Sequence, residues 1–456
     1  MLGDCETHTV RKIGKTKLFA FALAILFPAT NTGATDLDLA RFATAKAHEI
    51  REFADTTTNK VPALVWSFFD AVRVDDWETA TNLADRLSLA SGRYVKSATN
   101  ETLSPALRTV IWPPISEMIG TYEQFHNWDT KWLHRFGREI IESIPRDGIY
   151  FGGTDPGRFI ITALAESRRE EKPFFILTQN QLVDESYLAR QRRLYSKQLH
   201  LPTSNDVATA MGEYIADVQE RLKHDKLKPG EDIRKVNGRV EVSGQVAVME
   251  INGLVAKCIV TNNPDRKFYI EESFTLDWMY PHLSPQGLIF ELHTKPLKEL
   301  GNQEVQQDLD YWKRTTGDAI GDWLAKETSV REICGFADKV HLRKDLTGYK
   351  GDPAFAKNRE AQMCFSKLRS AIAGLYAWRE EHANDPGEKL RFQQAADLSF
   401  RQAYALYPAS PEAVYRYANF LTGHGRQDDA LLLVKTSLRL DPDNAYFPDL
   451  LKSLSQ

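Results

Sequence analysis

A glycine–aspartate loop is the stretch of this 456-residue chain whose residue types and spacing suggest a binding site. Gly148–Phe151 (GIYF) reads as a short strand, and it runs into Gly152-Gly153-Thr154-Asp155-Pro156-Gly157-Arg158. The two leading glycines permit a positive φ or a close backbone approach. Asp155 followed by Pro156 reads as the N-cap and first residue of a helix. The loop then stands at the carboxyl end of a strand, where open α/β sheets bind their ligands. The default role of Asp155 is to cap the helix. A phosphate is disfavoured, because the Asp155 carboxylate would occupy the positive helix end. A neutral polyol or sugar fits better, held by Thr154, Asp155 and Arg158, with Gln179 and Asn180 arriving from the end of the next strand, Phe174–Thr178 (FFILT).

Other chemistries lack their signatures. No G-x-G-x-x-G or Walker pattern points to a nucleotide, no H-E-x-x-H to a zinc protease, and no G-x-S-x-G to a serine hydrolase. No catalytic residue, metal ligand or cofactor is therefore assigned. His282 and His293 flank a strand without ligand spacing and read as ordinary histidines. Glu271 and Glu272 have the types of an acid/base pair, but consecutive strand residues point to opposite faces. Arg190, Arg192, Arg193 and Lys197 form a basic run on one helix. Its default is a solvated face, and the alternative is a docking surface for an acidic partner. A formal net charge of −4 gives no reason to expect nucleic acid or an anionic membrane as a partner.

The elements that must position the loop follow from periodicity and turn residues. At 42% hydrophobic and 26% charged, the composition is that of globular domains, and the length suits about three of them. Residues 35–139 read as helical. Within them Pro62–Val74 and Trp77–Leu89 form a repeat-like hairpin over 62–89, and Trp112-Pro113-Pro114 breaks the run before a helix at Ile115–Phe125. From 140 to 300 short strands alternate with helices, at Phe159–Arg169, Tyr187–Gln198, Asp206–His224 and Gln245–Val260. Further strands fall at Phe268–Glu271 and Leu288–Leu292, so a small, mainly parallel α/β domain is expected. Residues 301–382 read as helical, with Trp312, Ile320, Trp323 and Leu324 in one apolar stripe and a long helix at Ala361–Trp378. The fold class is thus multidomain α and α/β.

The N-terminus reads as a signal peptide over residues 1–34. Arg11, Lys12, Lys15 and Lys17 precede the apolar run Leu18–Phe27, which is short for a bilayer span, and Thr32-Gly33-Ala34 sets cleavage before Thr35. The chain is expected to be exported, to the periplasm or outside the cell, with no transmembrane span once cleaved. An uncleaved anchor is the alternative. Beyond Cys5, in the segment to be removed, Cys258, Cys334 and Cys364 give an odd count without a C-x-x-C pair. Stability must then come from the core.

Residues 383–456 carry the most legible pattern. Ser410–Asn444 (SPEAVYRYANFLTGHGRQDDALLLVKTSLRLDPDN) resembles a tetratricopeptide repeat, whose period is 34 residues. Val414 stands at the large position of the first helix. Tyr417 and Ala418 form the packing pair, and Leu421 is the next core position. Gly425 sits in the turn, Ala430 at the small position of the second helix, then Val434, and Pro442 ends the unit. Ser437 departs where the family prefers alanine. Upstream, Ala396, Phe400, Ala403 and Pro408 match a second helix and its terminator one period earlier, while the first helix there is lengthened or displaced. Tetratricopeptide-type helical hairpins are therefore expected at the C-terminus.

The segments IPRDGIYFGGTDPGRFIITAL, NPDRKFYIEES and LSPQGLIFEL resemble, over residues 140–295, the soluble C-terminal portion of bacterial membrane proteins related to protein O-mannosyltransferases. The loop at 153–157 is shorter and less acidic than in that family. The spans that carry the family's transfer chemistry have no counterpart, so the resemblance implies no activity. The whole arrangement resembles exported bacterial tetratricopeptide-repeat proteins. The expected function is that of an exported, soluble scaffold or binding protein acting on a protein partner through its repeats. The alternative is a glycan-binding or glycan-modifying protein that uses the loop at 152–158.

Overall fold

A computed structural model describes residues 33–55, 61–90, 105–167, 174–195, 197–228, 230–236, 239–271 and 276–455. Residues 1–32, with the charged segment and the apolar run read as a signal peptide, lie outside them, as does Glu272. The chain is mostly helical and carries one five-stranded sheet and a separate two-stranded ribbon.

Four helices open the described chain: α1 (Gly33–Asp55), α2 (Ala63–Arg73), α3 (Trp77–Ala90) and α4 (Pro105–Asn127). α2 and α3 form a hairpin whose turn is made by Asp75 at φ 59°, and Phe68, Ala71, Ala80 and Leu87 are buried in it. The expected break at Trp112-Pro113-Pro114 does not occur, for both prolines lie inside α4. A proline inside a helix forfeits a hydrogen bond and crowds the carbonyl four residues back, at a cost of about 3 kcal/mol. Burial of Ile111, Ile115 and Met118 in the core shared with α1 and α2 holds the helix together across the pair.

The sheet follows α5 (Thr130–Ser143). β1 (Ile149–Gly152) leads through α6 (Asp155–Glu166) to β2 (Phe175–Thr178). α7 (Glu185–Tyr195), α8 (Ser204–Lys223), the ribbon β3 (Asp232–Val236) and β4 (Arg239–Ser243), and α9 (Gly244–Asn262) then intervene before β5 (Phe268–Ile270). β6 (Leu283–Gln286) and β7 (Ile289–Leu292) complete the order β2-β1-β5-β7-β6. β1 is parallel to β2 and β5, but β7 is antiparallel to both β5 and β6, so the sheet is mixed, not mainly parallel. Gly287, at φ 62°, folds residues 283–286 back as a hairpin partner that the sequence reading overlooked. β6 tolerates Pro285 because it is the edge strand.

Among the described residues one helix, α9, is long and apolar enough to cross a membrane. Here it turns Ala247, Ile251, Val255, Ala256 and Ile259 into the core. α6 lies between two cores, with Ala163 in that of the N-terminal helices and Ile160, Ile161 and Leu164 in the one that contains the sheet.

The remaining helices are α10 (Asn302–Ile320), α11 (Val330–Ala337), α12 (Pro353–Lys357), α13 (Arg359–His382), α14 (Pro386–Leu406), α15 (Pro411–Gly423), α16 (Gln427–Leu440) and α17 (Tyr446–Leu454). α13 and α14 pair closely as one hairpin, α15 and α16 as the next, with α17 against α16. Inside them Arg369, fully buried, bonds Asp308 of α10 at 2.8 Å and Gln402 of α14 at 2.8 Å, and Tyr376 donates to the same Asp308 oxygen at 2.7 Å. Cys334 and Cys364 are buried and Cys258 is half-buried.

A cluster of ionised side chains fastens the N-terminal helices to the α/β unit. Lys46 of α1, 2% exposed, lies 2.6 Å from Glu117 of α4 and 2.9 Å from Glu166 of α6. Arg190 of α7 bonds Glu49 of α1 through two nitrogens, at 2.7 and 2.9 Å, and also reaches Glu117. The basic run on α7 is thus not simply a solvated face. Arg190 is buried against carboxylates of α1 and α4, Arg193 reaches Glu49 at 3.5 Å, and Arg192 bonds Glu185 and the Pro202 carbonyl. Burial disfavours these charges, yet Arg190 and Lys46 hold Glu117 far below the ordinary carboxylate range. Burial likewise opposes the charge on Lys46, and Glu117 and Glu166 hold its ammonium above its ordinary value.

Lys46→Met strips one partner from a buried ionic cluster and is expected to cost about 3–5 kcal/mol in urea unfolding at neutral pH. The depressed carboxylates contribute stability that is complete above their unfolded value of 4.5 and is lost as pH falls through their folded values. Below pH 4.5 the parent should lose stability more steeply than Glu117→Gln, which no longer titrates there. Equal slopes in the two proteins would show that Glu117 is not held this way.

Candidate functional site

β1 and β5 part company at the carboxyl edge of the sheet. The chain leaves β1 towards β2 on one side and returns to β5 on the other, which makes the β1–β5 gap the topological switch point where open α/β sheets take ligands. The β1–α6 loop, Gly153–Thr154, overhangs this gap. Its backbone donors and the N-terminus of α6 have the geometry of an anion cradle.

The cradle holds a carboxylate of the chain itself. Glu271, the residue after β5, is 1% exposed and accepts from Gly153 N and Thr154 N, both at 2.8 Å, on one oxygen. The Thr154 hydroxyl donates to the other oxygen. Glu271 N in turn donates to the Phe151 carbonyl at 3.0 Å, which continues the strand pairing to the loop. Gly157 makes room for the carboxylate, since a Cβ there would fall 1.8 Å from Glu271 Oε2. Gly152 is needed for close approach and not for a positive φ, for its Cβ would meet the Gly157 carbonyl at 3.0 Å. The Tyr150 hydroxyl donates to that same carbonyl at 3.0 Å. Burial, together with the Glu271 charge, pushes the Tyr150 phenol well above its ordinary range and keeps it a donor.

The predicted loop residues separate on this frame. Thr154, not Asp155, is the N-cap of α6, its hydroxyl accepting from Gly157 N at 3.0 Å. The proline shows why. Pro156 occupies the second helical position, which moves the cap one residue earlier than an Asp-Pro reading assumes, and leaves Asp155 in the first turn. Asp155 is exposed and pairs with Arg158 at 3.3 Å. Gln179 and Asn180 open a short 3-10 turn after β2. The Asn180 carbonyl faces Asn252 of α9 at 3.5 Å. Thr154, Asp155 and Arg158 therefore sit together, with Gln179 one step past the Gly152–Thr178 pairing, and Asn180 turns towards α9.

Glu271 is the residue whose role sequence reasoning missed. Its type suits half of an acid/base pair, and the structure makes it a structural ligand of the loop. The signal that could have found it is its position, one residue past a strand that neighbours β1. His282 and His293, whose spacing is not that of metal ligands, meet at the base of the β6–β7 hairpin. His293 N donates to the His282 carbonyl at 2.9 Å, and the Ser284 hydroxyl lies 2.8 Å from His293 Nε2.

Arg158 also reaches a second concavity. On the far side of α6 a cleft of about 160 Å³ opens between α4, α6, the end of β2 and α7. Of the five loop-region candidates, Arg158 alone lines it.

Comparison with known proteins finds no protein-family model that matches this chain and no curated protein with significant similarity to it.

If Thr154 caps α6 and Glu271 is the loop's internal ligand, the variants should rank accordingly. Thr154→Ala is expected to lose about 0.5–2 kcal/mol for the cap. Glu271→Gln replaces a charged acceptor by an amide that cannot receive all three donors, at about 1.5–3 kcal/mol. Asp155→Asn should cost less than about 1 kcal/mol, as an exposed first-turn acid. Urea unfolding of the three variants measures the order, and a loss at Asp155→Asn larger than at Thr154→Ala would reverse the cap assignment.

Proposed function

We propose that this chain is an exported protein, soluble once its leader is removed, that binds a protein partner through tetratricopeptide-type hairpins in its C-terminal part. The observation that carries the reading is the packing of α13 to α17. Val414, Tyr417, Ala418, Leu421, Ala430 and Val434 are all fully buried. α14 ends at Leu406 and α16 at Leu440, each two residues before a proline, Pro408 and Pro442, one 34-residue period apart. Small side chains let the two helices of a hairpin approach, and the proline stops the second so that the next unit can stack. Ser437, the departure from pattern, is accommodated by bonding the Pro408 carbonyl at 2.7 Å.

α11 packs against α14 and α16 and so covers the second-helix side of the stack. The first-helix side presents Tyr415, 57% exposed, with Arg416 bonded to Glu412 at 2.7 Å and Lys367 of α13 within 4.0 Å of that carboxylate. An exposed tyrosine framed by paired charges is the composition of a protein-binding face, where aromatic and arginine side chains carry most of the affinity. The loop at 152–158 supports the glycan alternative less well, because its inward donors are engaged by Glu271.

Three measurements test the reading. N-terminal sequencing of the native protein should begin at Thr35 or a close neighbour, and an intact Met1 in a cytoplasmic fraction would refute export. Ala430→Phe should overpack the α15–α16 contact by about 1–3 kcal/mol, whereas a parent-like melt would mean the hairpin is loosely packed. The double change Tyr415→Ala with Arg416→Glu should leave the melt within about 0.5 kcal/mol of the parent. It should also abolish capture of the partner that cross-links to the parent. Undiminished capture would exclude this face.

A further inference from the structure

The cleft beside Arg158 belongs neither to the hairpin face nor to the Glu271 cradle, and its lining has a consistent chemistry. Trp112, Phe159 and Tyr187 line it together with Ser116, Thr162 and Thr178, and the Arg158 guanidinium lies over the Phe159 ring, 4.1 Å from its centroid. Tyr187 is held in place by Thr178 N, which donates to its hydroxyl at 2.6 Å, and burial pushes that phenol up to about 12. Two donors in the lining, Trp112 Nε1 and Arg158 Nε, are buried and meet no acceptor among the described residues. Both are donor-only groups, so a ligand reaching them must bring acceptor oxygens.

The charges around the cleft exclude an anion as its natural occupant. Glu117 and Arg190 neutralise each other within the Lys46–Glu49–Glu166 cluster. Asp155 pairs with Arg158, and Asp184 is engaged by the first turn of α7, accepting from Ser186 N at 2.8 Å and Tyr187 N at 3.1 Å. No unpaired cation remains in the lining to repay the dehydration of a phosphate or carboxylate. The volume is small, about 160 Å³, against ~300–1,000 Å³ for clefts that take drug-sized ligands. A cleft of that size suits a ligand no larger than one small ring. Aromatic faces beside hydroxyls and donor-only nitrogens match a pyranose, which is apolar on its ring faces and rich in acceptor oxygens at its rim.

We propose that this cleft binds one neutral saccharide unit, with Trp112 against the ring and with Arg158, Thr162 and Thr178 bonding its hydroxyls. The site stands independently of the hairpin reading. It also differs from a loop site, because Thr154, Gln179 and Asn180 take no part in it.

The experiment is ligand-observed saturation-transfer NMR on the full chain. The neutral arm is D-glucose, D-galactose, D-mannose, N-acetyl-D-glucosamine and myo-inositol, and the charged arm is D-glucuronate and inorganic phosphate. At least one neutral probe should saturate. Its affinity should fall fivefold or more in Thr162→Val, which keeps the shape and removes one hydroxyl, and should vanish in Ser116→Leu, which fills the cleft. Thr162→Val guards against a Ser116→Leu that fails to fold, as judged by circular dichroism. Silence from every neutral probe overturns the proposal. So does tighter binding of glucuronate or phosphate, or unaltered affinity in a folded Thr162→Val.

Discussion

Two cations and three carboxylates buried between four helices set the geometry of the N-terminal half. Removing such charges from water is costly, and the cost is met only when each finds a partner at hydrogen-bonding distance. Lys46, Glu49, Glu117, Glu166 and Arg190 satisfy one another across α1, α4, α6 and α7, so none of these helices can shift without stranding a charge in the interior. That constraint is directional in a way that apolar packing is not. It fixes α4 against α6, and the cleft between them inherits its walls from that fixed distance. The same five residues explain how a helix with two internal prolines keeps its place, since Glu117 lies just beyond them and is anchored to two cations.

At the sheet the chain has resolved a different conflict. The switch point between β1 and β5 is where a fold of this kind ordinarily offers backbone donors to a ligand. Those donors would be unsatisfied in the interior unless something accepted from them. Glu271 does so, and the cost of burying its charge is offset by two backbone N–H groups, the Thr154 hydroxyl and the positive end of α6. The most conventional ligand position is thereby converted into a structural joint. Among the described residues, two donors still lacking partners, Trp112 Nε1 and Arg158 Nε, belong to residues that line the cleft beyond α6.

What could be read from the residues divides along physical lines. Helices were legible wherever one apolar face recurred, as in α8, α13 and α16, and the strands β1, β2, β5 and β7 wherever short apolar runs met turn residues. The edge strand β6 was missed because Leu283–Gln286 contains a proline and has no alternation, and only its pairing with β7 makes it a strand. The α4 prolines misled for the opposite reason, since local propensity opposed a helix that tertiary burial enforces. At the site, Gly152, Thr154 and the helix that follows were recoverable from local grammar. The bond between Thr154 and Glu271 was not, because the position of Glu271 after β5 becomes a signal only once β5 is known to lie beside β1. The cleft is harder still, being assembled from α4, α6, β2 and α7, and no window of sequence contains it.

The Glu271 joint also bears on the order in which the molecule assembles. Gly153 and Glu271 are 118 positions apart, so closing that contact means closing a loop that contains α6, β2, α7, α8, the β3–β4 ribbon and α9. Contacts of such long sequence separation form slowly, after the local helices have condensed. Until β5 docks beside β1, the amides of Gly153 and Thr154 remain hydrated and α6 lacks the acceptor at its first turn. The crevice closes only after those intervening elements exist, and a nascent chain still short of residue 271 carries it open.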